Sequence, residues 1–474
     1  MRKKLLTLFT AAGMIVCVVP FAGLAVTGST DPVGNEDKAQ LPSVINGDKS
    51  FNSLYIQQLG NYFEKTFAFR PQMINADANI QAGVFQTSNL PSVIAGSDGW
   101  LYYSSTLNDF LGKNTMSQRA VNNAAHNLLL TQRYCEANGA RFIFTVAPNK
   151  NSLYPEHMPY YYGAKASRQK NIGSFKSALE LEGVNYCDLF GLFENDDETL
   201  YLKQDSHWNN KGALAAYNKI LDDASVSHSD FSDVSPVREK THVGDLAKML
   251  YPASAGPEYN YNYGMEKNYR YLTDTKSVED AEIKTENSQG KGSLYMYRDS
   301  FGNALLPFFA SEYGKAEFTK AFPVNLGLEI GLQQPDTVIF EIAERNIDWF
   351  AGNPPVIPAG ECAEIKAEKT DEKAEISAQI SEVNMQYVKF TGKVPGELCG
   401  DNGEIFLKVT GKSGAAKFYK PFYITADDGD SGFAAYIPSE LFDGKAKASA
   451  LLDTSDKVIE FPGAEVAINQ TEME

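Results

Sequence analysis

Between residues 116 and 355 the apolar positions switch repeatedly between two spacings. A helical pattern in HNLLLTQRYCEANG is followed by the continuous apolar run RFIFTVAP, and the same helix-and-strand rhythm recurs in FKSALELEGVNYCDLF, in GSLYMYRDSFGNALLPFFASEY and in PDTVIFEIAERNIDWF. Short, wholly apolar runs are typical of strands buried on both faces of a parallel sheet. The alternation therefore predicts an α/β fold, a parallel sheet flanked by helices.

The patterns on either side of this region differ from it. Residues 51–88 have helical spacing, and SDGWLYY at 97–103 predicts a turn followed by an aromatic strand. After residue 355, short alternating segments such as EIFLKVTG and GFAAYIP are separated by turn residues, which predicts a β-sandwich over 356–474, a candidate carbohydrate-binding module. A chain of 474 residues is too long for one core, so we expect 51–355 and 356–474 to be separate domains.

The amino terminus predicts export. Arg2, Lys3 and Lys4 precede an uncharged, mostly apolar stretch to about Val26, long enough to cross a bilayer. Residues 1–26 are therefore either a cleaved signal peptide or a retained membrane anchor, and the polar, Pro- and Gly-containing residues 27–50 read as a tether. The folded part is expected outside the cytoplasmic membrane, anchored, periplasmic or extracellular.

Composition narrows the possible partners. The formal net charge of −17 provides no basic footprint, so we expect no nucleic-acid partner. The five cysteines form no CxxC pair and no Cys/His spacing suited to zinc, so we expect no metal, and nothing in the chain indicates a cofactor. Cys362 and Cys399 either pair in an exported protein or remain thiols.

Two segments supply candidate catalytic residues. In YLKQDSHWNNKG, Asp205 and His207 stand two apart before a predicted helix, so the carboxylate is able to fix the tautomer of the imidazole. The alternative is a capping Asp beside a structural His. In LYMYRDSFGN, a strand, a turn and a helix expose Ser300 at the carboxyl edge of the sheet, where ligands of α/β sheets bind. The alternative there is that Asp299 and Ser300 only cap the helix. Together the segments supply a nucleophile, a base and the group that orients the base.

Several motifs together resemble one known family. DSHW, RDSFG, GSDGWLYY, VAPNKNSLYPE and VIFEIAERN are similar to motifs of the SGNH hydrolase-like alginate O-acetyltransferase family (AlgX/AlgJ), especially its DHHW-type relatives, over about residues 50–355. The resemblance implies that Asp205, His207 and Ser300 occupy the family's triad positions. It also implies acetyl transfer to hydroxyls of an extracellular polysaccharide. Ser206 departs from the pattern, because the DHHW relatives carry His there, and this leaves the polymer and the acceptor open.

Polar residues at other strand exits are further candidates for binding the oxyanion or the substrate. They are Asn149 and Lys150 in VAPNKNSLYPE, Arg298 beside the serine, and Arg345 in EIAERN. Each has a structural alternative: Pro148-Asn149 is also an ordinary turn, and Arg345 is favoured to pair with Glu341 or Glu344. His242, in HVGDLAKML, reads as structural rather than catalytic.

The residues predict an extracytoplasmic serine-dependent acyltransferase that acts through Ser300, His207 and Asp205, and the resemblance implies that it is an O-acetyltransferase. Its expected partners are a polysaccharide acceptor and a membrane protein that delivers the acyl group. Two alternatives remain at this stage. One is a polysaccharide esterase or deacetylase with the same residues, since the sequence does not show what excludes water. The other is a non-catalytic surface protein that binds glycan.

Overall fold

The computed structural model describes residues 2–28, 30, 38–47, 49–82, 87–426 and 429–469. Helices through residue 352 are α1 (Arg2–Thr27), α2 (Tyr55–Thr66), α3 (Arg70–Ile80), α4 (Leu107–Leu111), α5 (Gln118–Ala137), α6 (Lys150–Leu153), α7 (Tyr160–Gly163), α8 (Asn171–Glu182), α9 (Leu189–Glu194), α10 (Asn210–Asp223), α11 (Asp245–Leu250), α12 (Gly302–Glu312), α13 (Leu326–Gln333) and α14 (Trp349–Gly352). Strands in this region are β1 (Val93–Ala95), β2 (Leu101–Tyr103), β3 (Arg141–Ala147), β4 (Tyr186–Cys187), β5 (Val237–His242), β6 (Glu258–Asn262), β7 (Arg270–Tyr271), β8 (Glu282–Glu286), β9 (Ser293–Tyr297), β10 (Lys315–Thr319) and β11 (Thr337–Ala343).

The central sheet explains the continuous apolar runs. Phe142 and Phe144 of β3 face one hydrophobic cluster, whereas Ile143 and Ala147 face a second cluster on the opposite side. Because successive side chains of a strand point to opposite faces, a strand covered on both sides needs apolar residues at nearly every position. Helix α5 packs in the first cluster, and α10 and α12 pack in the second.

The sheet is mixed, which corrects the prediction of a parallel sheet. Among the described residues it has seven strands in the order β4-β3-β11-β9-β10-β8-β7. Strands β4, β3, β11, β9 and β10 are mutually parallel, but β8 pairs antiparallel with β10, and β7 antiparallel with β8. Only six residues separate β8 from β9, too few for the crossover that a parallel connection needs. The carboxyl ends of β3, β9 and β11 still meet at one edge.

The C-terminal region, residues 356–474, is also organised differently from the prediction. Its elements are β12 (Gly360–Cys362), β13 (Glu368–Lys369), β14 (Glu375–Ile380), β15 (Tyr387–Lys393), α15 (Gly396–Cys399), β16 (Glu404–Thr410), β17 (Ala416–Lys420), β18 (Phe422–Ala426), β19 (Gly429–Pro438), β20 (Lys445–Asp453), β21 (Val458–Glu460) and β22 (Ala464–Asn469). The described strands join in one hydrogen-bonded network instead of two separate sheets. Strand β22 makes the join, because it pairs with β20 on one side and β14 on the other. This curled sheet encloses its own hydrophobic core.

The C-terminal sheet packs directly on the α/β region. Phe422 and Tyr436 belong to the same buried cluster as α5 and α14. Asn127 of α5 donates to the carbonyls of Phe350 and Tyr423 and accepts from the Tyr423 N–H. Residues 355–357, at the predicted domain boundary, are buried. The boundary is therefore a packed connection, not an exposed linker.

The N-terminal segment forms the long apolar helix α1. Within it, Leu6–Val26 is long and apolar enough to cross a membrane, a property that signal sequences share. Part of the predicted tether, residues 29, 31–37 and 48, lies outside the described residues. Cys362 and Cys399 are both free thiols, so the structure does not pair them.

Candidate active site

Ser300 lies in the short turn between β9 and α12, at the carboxyl edge of the sheet. The Asp299 carboxylate holds this turn, because it accepts the Phe301 N–H at 2.8 Å and the Ala343 N–H at 2.7 Å. Only glycine fits at residue 302, where a Cβ atom would lie 2.6 Å from the Arg298 Cβ. The turn thereby presents the Ser300 hydroxyl to the cleft.

The loop before α10 brings the other two residues to the serine. His207 Nε2 lies 2.8 Å from Ser300 Oγ, and His207 Nδ1 lies 2.7 Å from Asp205 Oδ1. The same Asp205 oxygen accepts the His207 backbone N–H at 3.1 Å. Helix α10 starts directly after this loop, where the Asn209 side chain accepts from Lys211 N and Gly212 N. The three residues thus form one hydrogen-bonded series.

His242 and Asp245 complete the surroundings of Asp205. The second oxygen of Asp205 lies 2.8 Å from His242 Nε2 and accepts the Asp245 N–H at 3.0 Å. Ser206, where the DHHW relatives carry His, places its hydroxyl 2.5 Å from Asp245 Oδ2 and 3.2 Å from His207 Nδ1. His242 therefore contacts the carboxylate that orients the imidazole of His207, and its structural role stays a prediction. The family-like segment HVGD was the signal for this contact.

The electrostatics suit His207 to the role of a base. Burial alone lowers the pKa of the imidazole, but the hydrogen bond and charge of Asp205 outweigh burial, so the net pKa lies above its ordinary value. Burial likewise opposes the charge on Asp205. The hydrogen bonds from His207 and His242 outweigh it and hold the pKa of this carboxyl well below its usual range. Asp205 is therefore ionised wherever His207 changes charge.

Asn149 and Lys150, expected near the oxyanion or the substrate, lie beneath the cleft. The Asn149 amide donates to Asp109 Oδ2 at 3.0 Å, and its backbone N–H donates to Glu344 Oε2 at 2.9 Å. Lys150 is 3% exposed and donates to backbone carbonyls. Neither residue lines the cleft that contains Ser300. Both side chains therefore bond to other protein groups and are not positioned to contact a ligand in the cleft.

The two arginines have different surroundings. Arg298 is buried, and its guanidinium donates to the carbonyls of Val278 and Asp280 and to Asn303, so it ties three segments together around the serine turn. Arg345 lines the cleft and lies over the Tyr103 ring, with 5.7 Å between its Cζ and the ring centroid. The carboxylate of Glu344 instead accepts the Asn149 N–H, and that of Glu341 accepts the Asp299 N–H. Neither of these hydrogen bonds involves Arg345, so the predicted pairing of Arg345 with Glu341 or Glu344 is not found among them.

The cleft around Ser300 has a volume of about 1720 Å³. Aromatic and amide side chains share its walls, among them Tyr103, Asn260, Tyr261, Asn262 and Tyr263. Most of these belong to the β5–β6 hairpin and its continuation, which the sequence analysis did not predict as part of the site. The alternation of Tyr and Asn in EYNYNY could have indicated them.

One group of carboxylate and imidazole side chains in the described part of the chain is close enough to hold a metal ion, Asp205, His207 and Asp245. The hydrogen bonds from His207 to Asp205, and from Ser206 to Asp245, account for their closeness without an ion. The prediction of no metal stays a prediction.

Comparisons with known proteins define the class first. Residues 93–289 match the family model described as "SGNH hydrolase-like domain, acetyltransferase AlgX". The match includes Asp205 and His207 and ends before Ser300. Together with the mixed α/β content, it identifies an SGNH hydrolase-like domain. The resemblance to the AlgX/AlgJ-like family that the motifs predicted is thereby confirmed over this part of the chain.

Individual relatives match in part. The chain is 26% identical over 198 residues to the "Probable alginate O-acetylase AlgJ" of Pseudomonas aeruginosa, covering 40% of this chain and 48% of the relative. The protein of the same name from Pseudomonas fluorescens is 24% identical over 208 residues, with 42% and 51% covered. The chain thus spans about half the length of these curated relatives. A solved DHHW family protein from Eubacterium siraeum aligns with a TM-score of 0.38 at 18% identity, covering 48% of this chain and 85% of that one.

Proposed function

We propose that this chain is a serine-dependent O-acyltransferase that moves an acetyl group to hydroxyls of a cell-surface or secreted polysaccharide. The observation that carries the proposal is the series from Ser300 Oγ through His207 to Asp205, with contacts of 2.8 and 2.7 Å. Serine nucleophiles need a base within hydrogen-bond reach and a third group that orients it. The relatives named as alginate O-acetylases favour acetyl as the acyl group and a polysaccharide as the acceptor.

The proposed reaction has two steps, acylation of Ser300 and transfer of the acyl group to the acceptor. His207 Nε2 takes the Ser300 proton as Oγ attacks the acyl carbonyl, and the same proton passes to the leaving group when its bond to the carbonyl carbon breaks. An acceptor hydroxyl then attacks the acyl-serine and loses its proton to His207, which returns it to Ser300 Oγ. Helix α12 begins two residues after Ser300, so the positive end of its dipole would favour negative charge that develops beside the serine. Asp205 keeps the imidazolium oriented throughout.

The cleft supports a large acceptor. Small-molecule sites typically enclose about 300–1,000 Å³, whereas this cleft encloses about 1720 Å³. Tyrosine rings supply apolar faces, and the neighbouring asparagine amides supply hydrogen-bonding groups. This mixture suits a sugar chain better than a compact metabolite.

The proposed location is outside the cytoplasmic membrane. The apolar helix α1 fits either a signal sequence or an anchor. An acyl group made in the cytoplasm would have to cross the bilayer before reaching Ser300. The proposal therefore includes a membrane partner that delivers the acyl group.

Mass spectrometry of the protein after incubation with an acetylated chromogenic ester tests the nucleophile. We expect one acetyl adduct, located at Ser300, and none in Ser300→Ala. Ser413→Ala, an exposed residue of the C-terminal region, is the matched control and should keep the adduct. Equal labelling and equal ester turnover in wild type and Ser300→Ala would contradict Ser300 as the nucleophile, whereas no labelling and no turnover in wild type would leave the glycan-binding alternative.

Adding oligosaccharides to the same reaction separates transfer from hydrolysis. A transferase moves acetyl to the sugar, and the share released as acetate falls as the acceptor concentration rises. An esterase releases acetate only, whatever the acceptor. The second result would retain the catalytic residues and replace the reaction.

A further inference from the structure

Lys150 is a buried lysine that the proposed reaction does not use, and burial lowers the pKa of its ammonium group to about 7. It is the first residue of α6, three residues beyond the end of β3, and its side chain reaches under the loop that carries Asp205 and His207. Burying an ammonium group is costly unless hydrogen bonds replace its water. Its surroundings therefore have to compensate for that cost.

Three backbone carbonyls of a single loop provide this compensation. The Nζ atom of Lys150 donates to the carbonyl oxygens of Leu202 and Lys203 at 3.0 Å each and to that of Asp205 at 2.5 Å. An ammonium has three N–H donors, so the three acceptors use them all. The rings of Trp100 and Tyr102 lie 5.2–5.5 Å from Nζ and add cation–π attraction.

The N–H groups of the same loop are bound by carboxylates. Glu258 accepts the N–H groups of Lys203 and Gln204 at 2.7 and 3.0 Å, and Asp245 accepts that of Ser206 at 2.8 Å. Lys150 thus binds the carbonyl groups of the 202–207 loop, and Glu258 and Asp245 bind N–H groups of the same loop. No hydrophobic packing could orient the backbone of a polar loop in this way, because carbonyl and amide groups need polar partners.

We propose that Lys150 is a positioning residue that fixes the 202–207 loop and so keeps the His207 imidazole aimed at Ser300. The inference rests on the proposed function. It also gives the family-like motifs SDGWLYY, VAPNKN and DSHW a common purpose, since the first supplies the rings, the second the ammonium and the third the loop. A guanidinium is planar and presents its donors in a fork, so arginine does not reproduce the three-way contact.

The kinetic test compares Lys150→Met and Lys150→Arg with Lys219→Met, a lysine of α10 that pairs with Asp223 on the surface. A small misplacement of a catalytic group costs on the order of 100-fold in rate. We expect both Lys150 variants to lose kcat by about that factor with KM little changed, whereas Lys219→Met matches wild type. Wild-type kcat in both folded Lys150 variants would overturn the inference.

The pH profile separates positioning from a general loss of structure. Burial lowers the pKa of His207, and Asp205, Asp245 and Asp299 raise it, so a displaced loop changes that pKa. We expect the acid limb of kcat to shift in Lys150→Met. A uniformly reduced profile with an unmoved limb would indicate a purely structural lysine and overturn the inference.

Hydrogen exchange tests the inference independently of activity. We expect faster amide exchange in residues 202–208 of Lys150→Met, with α5 and the C-terminal sheet protected as in wild type. Lys150→Gln, which keeps a polar head group, serves if Lys150→Met does not fold. Unchanged exchange in the loop would overturn the inference, whereas a missing Ser300 adduct in wild type would remove the proposed function and leave this measurement valid.

Discussion

The α/β region and the smaller C-terminal region bury different kinds of side chain. Within the described residues, the α/β region buries several charged groups near the carboxyl ends of its strands, namely Asp109, Lys150, Asp205, Arg298, Glu341 and Glu344. The buried polar residues of the described C-terminal sheet are three serines, Ser381, Ser431 and Ser449. Burying charged groups costs folding free energy, and this cost falls on the α/β region and not on the C-terminal sheet.

This difference separates the α/β region, which holds the candidate active site, from the C-terminal region, whose core is apolar. Buried charges are destabilising unless they are paired and hydrogen-bonded. Here each pairing also orients a segment around the cleft, since Asp205 holds His207, Lys150 holds the 202–207 loop and Arg298 holds the serine turn. The C-terminal core needs only apolar packing, so its residues should affect stability and leave the chemistry intact.

Replacing Asp205 by Asn gives the largest expected effect in the α/β region. An amide in place of the aspartate of a Ser-His-Asp triad costs about 10⁴-fold in kcat, because it favours the wrong tautomer. Asp205 also raises the pKa of His207, so the acid limb of the pH–rate profile should move to lower pH. Asp245→Asn, whose carboxylate lies 3.8 Å from His207 Nδ1, should shift the limb in the same direction by less. An Asp205→Asn enzyme within tenfold of wild type would remove Asp205 from the triad.

Truncating Phe433 should give the opposite result in the C-terminal region. Its side chain is fully buried in the core of the curled sheet, and Phe→Ala at such sites costs about 3–5 kcal/mol of unfolding free energy. Urea unfolding measures this loss, and kcat of the folded fraction should stay at the wild-type value. Met385→Ala, at a position 73% exposed, is the control and should change stability by less than about 0.5 kcal/mol. A large loss of kcat in folded Phe433→Ala would show that the two regions are coupled.

Asn127 tests that coupling directly, because it joins the two regions. Asn127→Ala removes the amide that serves the carbonyls of Phe350 and Tyr423 and the Tyr423 N–H. Leaving buried polar groups unsatisfied costs about 1–3 kcal/mol each, and we expect a net loss near 2–3 kcal/mol after relaxation. Asn122→Ala on the same helix, which loses a solvent-exposed bond to the Asp401 carbonyl, should cost much less. Equal losses in the two variants would contradict a buried polar connection.

The sequence predicted the site better than the architecture around it. Local chemistry and the alternation of helix and strand predicted that Asp205, His207 and Ser300 meet at one edge, and their hydrogen bonds agree, whereas their catalytic role stays a prediction. The antiparallel strands β7 and β8 were missed because their residues, RY and EIKTE, carry no apolar run. The single C-terminal network was missed because its joining strand β22 pairs across about 90 residues with β14, and no local pattern records such a pairing.

Lys150 shows a different limit. A lysine after a strand exit reads equally as a turn residue or as a ligand contact, and its three acceptors are backbone carbonyls of a loop more than 50 residues away. Backbone acceptors have no residue identity, so their spacing leaves no mark in the sequence. The predicted pairing of Arg345 with Glu341 or Glu344 failed for a related reason. In the folded chain both glutamates accept hydrogen bonds from backbone N–H groups instead.

Glu341 provides the smallest expected effect and the sharpest test of how the α/β region tolerates its buried acids. Burial and the neighbouring Asp299 raise the pKa of Glu341 well above its ordinary value, which favours the protonated carboxyl in the folded protein. Glu341→Gln resembles that protonated form and should change stability by less than about 1 kcal/mol near the ordinary pKa of glutamate. Because the folded state binds this proton more tightly than the unfolded chain does, wild type loses stability as pH rises from that value, and Glu341→Gln does not. The difference in melting temperature between the two should therefore shift in favour of the variant from pH 5 to pH 8, while the exposed Glu440→Gln shows no such trend. A difference that stays constant with pH would mean that Glu341 is ionised in the folded protein.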